Sequence, residues 1–198
     1  MITTIIDRRR AIMSAKRPIY QIQNVSVSAG NSISTGVQPF VANKSTTILF
    51  DFTANTNPTG ATSLGSIQKL LQMGTTRELC IGKYNRQDAT LSLWWIPSSN
   101  ADYITISGMP SAAGRKRFAI IHYANSNEIS LKMQYNNGTP FSMTATKTFT
   151  PTDAILSAGY YSDPLPEANT AGLPSGTINK LAIYDRVLSE QEINAFFA

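Results

Sequence analysis

The 198-residue sequence is short of reactive side chains: it has one cysteine, Cys80, and one histidine, His122. A lone thiol excludes an intrachain disulfide, and folding in a reducing compartment is compatible with that. Charge is scarce as well. Asp, Glu, Lys and Arg make up 15% of the chain, against roughly a quarter in an average soluble domain. Ser, Thr, Asn and Gln fill the surface instead. No run approaches the length of about 18 apolar residues that a membrane-spanning helix needs. Residues 1–15 contain Arg8, Arg9 and Arg10 in a row, where a signal peptide would need an apolar core. No internal repeat, low-complexity tract or linker divides the chain. A length near 200 residues fits one domain with a core of its own.

The sequence also lacks the spacings of catalysis. It has no Gly-x-Ser-x-Gly elbow and no phosphate-binding Gly-rich loop. His122 lies inside a strand-like run without a Ser or Cys partner at motif spacing, so it reads as a packed or surface residue. Cys80 has apolar neighbours and reads as a buried, inert thiol. The net charge is +5, and much of the excess sits in two clusters, Arg8–Arg10 and Arg115–Arg117. Neither is interleaved with aromatics, so there is no stacking platform for single-stranded nucleic acid. Each cluster reads as a solvated face or loop.

What is present is β text. Residues 44–53 alternate Thr46, Ile48, Phe50 and Phe52 with Thr47, Leu49 and Asp51, as a two-sided strand does. Residues 128–135 alternate Ile129, Leu131, Met133 and Tyr135 with Ser130, Lys132 and Gln134, and Asn137-Gly138 supplies a turn. Tyr20, Ile22, Val25 and Val27 suggest a first strand region with a turn at Asn24. Trp94 and Trp95 are adjacent within a strand and must point to opposite faces, so one of them belongs to the core. At the C-terminal end, residues 178–184 read as a strand with Leu181 and Ile183 on one face. Ser189 and Glu192 follow at capping-box spacing, and Ile193, Phe196 and Phe197 give the ensuing helix an apolar side. So short a helix needs a larger body to dock on.

Gly176, Ile178, Ile183, Tyr184, Arg186, Leu188, Ser189, Glu192 and Ile193 together resemble the closing motif of laminin-G-like domains in the concanavalin A-like lectin/glucanase superfamily. The likeness extends back through Tyr135-Asn-Asn-Gly138 to about Lys44. It implies an all-β fold: a two-sheet antiparallel jelly-roll sandwich whose last strand returns beside its first. A short C-terminal helix follows, and residues 1–24 form an arm or short helix ahead of a domain over 25–198. The segment "DRRRAIMSAK" is similar to the start of bacteriophage structural proteins.

Several expectations rest on that resemblance. The glucanase branch carries its paired carboxylates on one strand face; this chain has no such spacing and is expected not to be an enzyme. Calcium binds some relatives through loop carboxylates, but Asp51, Asp88, Asp102, Asp153 and Asp163 are scattered, so no metal or other cofactor is expected. The main functional expectation is a virion structural protein. Arg8, Arg9 and Arg10 would attach it to other virion proteins, in a homo-oligomer or a larger assembly, with no membrane or nucleic-acid partner. The alternative is a carbohydrate-binding module gripping a glycan with Trp94, Tyr84 and Asn85, and the pair Tyr160 and Tyr161. Tyr123 with Asn125 is a further aromatic–amide candidate.

Overall fold

The computed structural model describes residues 17–41, 43–55, 68–73, 79–83, 90–95, 102–110, 112–124, 128–146, 154–159 and 173–198. Twelve strands and one helix lie in these segments. They are β1 (Tyr20–Val27), β2 (Ile33–Ser34), β3 (Thr46–Ala54), β4 (Gln68–Met73), β5 (Leu79–Lys83), β6 (Thr90–Trp95), β7 (Asp102–Pro110), β8 (Gly114–Tyr123), β9 (Glu128–Tyr135), β10 (Phe141–Thr146), β11 (Leu156–Ala158), β12 (Gly176–Tyr184) and α1 (Glu190–Phe197). The described strands form two six-stranded sheets, ordered β1-β12-β3-β8-β9-β10 and β2-β11-β4-β5-β6-β7. All the pairings are antiparallel. The last strand, β12, lies between β1 and β3, as the closing motif implies.

The alternation seen in the sequence sets the core. Ile48, Phe50 and Phe52 of β3 face the second sheet together with Phe118 and Ile120 of β8, Leu131 and Met133 of β9, and Leu181 and Ile183 of β12. The second sheet contributes Leu70, Leu71, Met73, Ile81, Leu156 and Ala158. Phe50 stacks on Phe52 and on Phe118, with centroids 6.0 and 6.3 Å apart.

Two sequence expectations shift. Asn24 does not turn the chain. It takes a left-handed conformation (φ 54) within β1, and pairing to β12 continues on both sides of it. Strand β1 thus begins at Tyr20, so the sandwich takes in residues on both sides of position 24. The basic run Arg115–Arg117 is not a solvated face. Lys116 and Arg117 are both buried, because β8 lies in the middle of its sheet, with Lys116 turned to Tyr135 and the Ala112 and Gly114 carbonyls and Arg117 lying against the end of the C-terminal helix. Most of the expected arm or short helix over residues 1–24, its first 16 residues, lies outside the described residues.

Helix α1 docks on the outer face of the first sheet. Ile193, Phe197 and the preceding Leu188 cover Leu49, Ala119, Ile121 and Ala182 there, forming a second, smaller apolar cluster. The expected capping box is present: the Ser189 hydroxyl accepts from the Glu192 backbone N–H, and the Glu192 carboxylate accepts from the Ser189 N–H. Arg186 adds a bidentate pair to that carboxylate at 2.6 and 2.9 Å. Arg186 and then Ser189 hold the Glu192 carboxyl down at about 2. At the other end, Arg117 donates to the carbonyls of Phe196 and Ala198. Lys132 donates to Asn194 and lies over Phe197, and Lys180 lies over Phe196. No basic residue stands in the helix's own last turn. The sheet supplies three cations to the negative end of its dipole instead.

Candidate ligand-binding face

Pairing register reveals how the second sheet is laid out. Ile33, Ala158, Leu71, Ile81, Leu93 and Ile104 align in one transverse row. Ala158, Leu71 and Ile81 of that row are core residues, so the whole row occupies core-facing positions. The neighbouring row runs Ser34, Ser157, Gln72, Cys80, Trp94 and Tyr103. Alternation puts it at outward-facing positions. Two residues further along, Lys69, Gly82, Ser92 and Thr105 align in another outward row.

Away from the β11–β4 end, the outward rows therefore carry hydroxyl, amine and thiol residues (Ser92, Thr105, Lys69 and Cys80) beside an aromatic pair on neighbouring strands, Trp94 and Tyr103. Trp95 falls instead in line with Met73 and Leu156, both core residues, so the tryptophan pair divides between core and outer rows. At the β11–β4 end the outward positions are closed over: Ser157 and Gln72 are fully buried. The Ser157 hydroxyl has no hydrogen-bond partner among the described residues.

Of the glycan-site candidates singled out from the sequence, only Trp94 is placed on this face, and Cys80, expected to be buried, falls in the same outward row. Tyr84, Asn85, Tyr160 and Tyr161 lie outside the described residues, as do Arg8, Arg9 and Arg10. Tyr123 packs against the cluster beneath α1 and is structural. Tyr103 was missed as a candidate. Its strand is legible, but its place beside Trp94 depends on which strands pair. His122 is a core residue, buried edge-on against Phe40 with centroids 5.2 Å apart, and burial lowers its pKa. No cluster of metal-ligating side chains occurs among the described residues. No helix among them is long and apolar enough to cross a membrane.

A buried amine lies at one end of the core. The Lys116 ammonium group donates to the carbonyls of Ala112 and Gly114 and sits 5.3 Å from the Tyr135 ring centroid. Burial pushes its pKa down to about 8. A base whose folded pKa lies below its ordinary value favours the fold when it is neutral. That contribution is complete above its ordinary pKa of about 10.4 and is lost as pH falls through about 8. Stability to urea should thus rise between pH 8 and 9.5, below the range where half-buried Tyr20 and Tyr184, whose pKa values are raised by desolvation, oppose it. Lys116→Met should remove most of that rise and gain about 1 kcal/mol or more at pH 7. An unchanged slope would show that another group titrates.

No family model matches the sequence, and no curated protein matches it. Solved structures do. A CBM40 module of the Ruminococcus gnavus IT-sialidase bound to α2,3-sialyllactose superposes with a TM-score of 0.55 at 17% identity, covering 91% of this chain and 99% of that one. The NanB sialidase of Streptococcus pneumoniae gives 0.60 at 16% identity, with 89% of this chain spanning 28% of the enzyme. The LG1-3 region of the laminin α2 chain gives 0.54 at 12% identity, over 84% of this chain and 32% of that one. The fold is a concanavalin A-like jelly roll. Within the concanavalin A-like sandwich, the carbohydrate-binding modules match nearly whole, whereas the complete sialidase extends far beyond the match.

Proposed function

We propose that this protein is a non-catalytic carbohydrate-binding module that holds a glycan on the outward face of the second sheet. The observation that carries the reading is the outward row pairing Trp94 with Tyr103, flanked by Ser92, Thr105 and Lys69. An aromatic face takes the apolar side of a pyranose ring, and hydroxyl and amine groups beside it exchange hydrogen bonds with the sugar hydroxyls. The solved CBM40 structures with α2,3- and α2,6-sialyllactose support glycan binding on this type of sandwich.

Binding of the full chain to an array of bacterial and animal glycans, followed by calorimetry on the best hit, tests the reading. Trp94→Ala should weaken that hit about tenfold or more, as removal of an aromatic anchor does. Its thermal midpoint should stay close to that of the parent, because the position is outward. A large loss of stability with unchanged affinity would make Trp94 structural. Failure of every glycan to bind would remove the proposal.

The arginine-bearing N-terminal segment supports attachment of such a module to a larger particle, as a virion component would be attached. Under that reading, a chain lacking residues 1–17 keeps its fold, by circular dichroism, and is absent from purified particles. Normal incorporation would dismiss the arm as the attachment.

A further inference from the structure

Helix α1 covers only part of the outer face of the first sheet. At its C-terminal end, where Arg117 and Lys180 meet it, register lines up Gln23, Lys180, Asp51, Arg117 and Gln134 in one row. The next row in the same direction runs Ser26, Thr177, Thr53 and Arg115. Every position in both rows is polar, although sheet centres are where apolar residues are expected to collect.

We propose that this face carries a second binding site, for an oxyanion, centred on Arg115. Three features support it. First, Arg115 is preorganised. Its guanidinium grips Asp51 through Nε and a terminal nitrogen, at 2.9 and 2.6 Å. The Asp51 side chain is only 5% exposed, whereas that of Arg115 stays 41% exposed. The carboxylate fixes one edge of the fork, and the other edge is presented to solvent. A planar guanidinium held this way matches a carboxylate or sulfate with little ordering cost.

Second, a β-bulge builds the site's floor. The register of β12 against β3 shifts between Ile178 and Lys180, which adds Asn179 to the strand. The Asn179 amide donates to Asp51 and to the Thr53 hydroxyl, both at 2.8 Å. Bulges commonly re-aim a side chain in this way beside functional sites. The Asn179 amide fixes Asp51 from the side opposite Arg115.

Third, the charges do not balance. Register sets Arg117 and Lys180 on either side of Asp51, the one carboxylate in the row, which Arg115 already grips. Arg117 is buried and finds only the carbonyls of Phe196 and Ala198, and its Nε has no partner among the described residues. Burial first, and then the charge of Arg115, lowers the pKa of Arg117. An oxyanion over Arg115 relieves that crowding of like charge.

The site is separate from the glycan face, since the two lie on opposite outer surfaces of the sandwich. Titration of the 15N-labelled full chain with sodium glucuronate at constant ionic strength tests it. Saturable shifts are expected at the amides of Thr53, Arg115 and Asn179, with none from glucose. Competition by inorganic sulfate for the same amides would identify the oxyanion alone as the determinant. Tighter saturation by glucuronate would add a contribution from the sugar ring.

The double variant Asp51→Asn/Arg115→Gln removes both members of the ion pair together, leaves Asp51 no unpaired charge, and should abolish the shifts. If it does not fold, Lys180→Gln should still weaken the titration severalfold. Trp94→Ala should leave it unchanged. Shifts that are absent, that glucose reproduces, that survive the double variant or that vanish in Trp94→Ala would overturn the proposal.

Discussion

Gly176→Ala should cost this chain a large part of its stability. A Cβ at position 176 would lie 2.0 Å from the Thr53 carbonyl oxygen and 3.0 Å from the Phe52 ring. The ring could swing, but the carbonyl could not. It belongs to β3, which is held between β12 on one side and β8 on the other. Gly176 itself pairs with Ala54 at the start of β12, next to a hydrogen bond from the Asn55 N–H to the Ser175 carbonyl. Relief would therefore mean unzipping the entry of the closing strand. Overpacking of rigid surroundings costs about 3 kcal/mol or more, a large share of the roughly 5–15 kcal/mol that a domain has. Gly30→Ala is the control. Its Cβ would meet nothing within 4 Å, so only its positive φ (+84) is penalised, at about 1 kcal/mol. Soluble, cooperative unfolding of Gly176→Ala close to the parent midpoint would show that β12 can shift at its start.

Phe50→Ala should be the most damaging of the simple truncations. Phe50 is fully buried, pairs in register with Leu181 on one side and Phe118 on the other, and stacks on both Phe52 and Phe118. Its removal opens a cavity between central strands that cannot collapse without bending the sheet. Phe→Ala at such a site costs about 3–5 kcal/mol. Phe50→Leu keeps most of the volume and should cost about 1 kcal/mol. Chemical denaturation of the three proteins, with equal m-values, checks the order. A small loss for Phe50→Ala would mean that the second sheet moves in to fill the gap. Because the cavity faces away from both proposed sites, any Phe50→Ala protein that remains folded should bind as the parent does.

The capping box and the apolar face of α1 were legible because both are local. Ser189 and Glu192 are three residues apart, and the helix period is set by the backbone. The alternation in residues 44–53 and 128–135 was legible for the same reason. Arg186 as the partner of Glu192 was not singled out, although it is only six residues away. The bend at residues 185–189 decides that contact, and spacing does not encode it.

Charge at the surface was misjudged where strand order mattered. Arg115–Arg117 looked like a solvated run, yet β8 is flanked by β3 and β9. Alternation sends Lys116 into the core end and Arg117 under the helix terminus. Asp51 was read as one polar member of an alternating strand and as one of several scattered carboxylates. Its partners Arg115 and Asn179 lie 64 and 128 residues away.

By itself, then, the sequence determined the strands with strict alternation, the capped helix and the absence of catalytic spacings, each of which depends on neighbours along the chain, and its resemblance to laminin-G-like domains implied the class of fold and the closing strand. Only the tertiary structure decided which tryptophan occupies an outward row, that Tyr103 stands beside it, and that Arg115, Asp51 and Asn179 meet. Pairing between strands far apart in sequence sets those positions. A one-residue change of register would send each side chain to the opposite face.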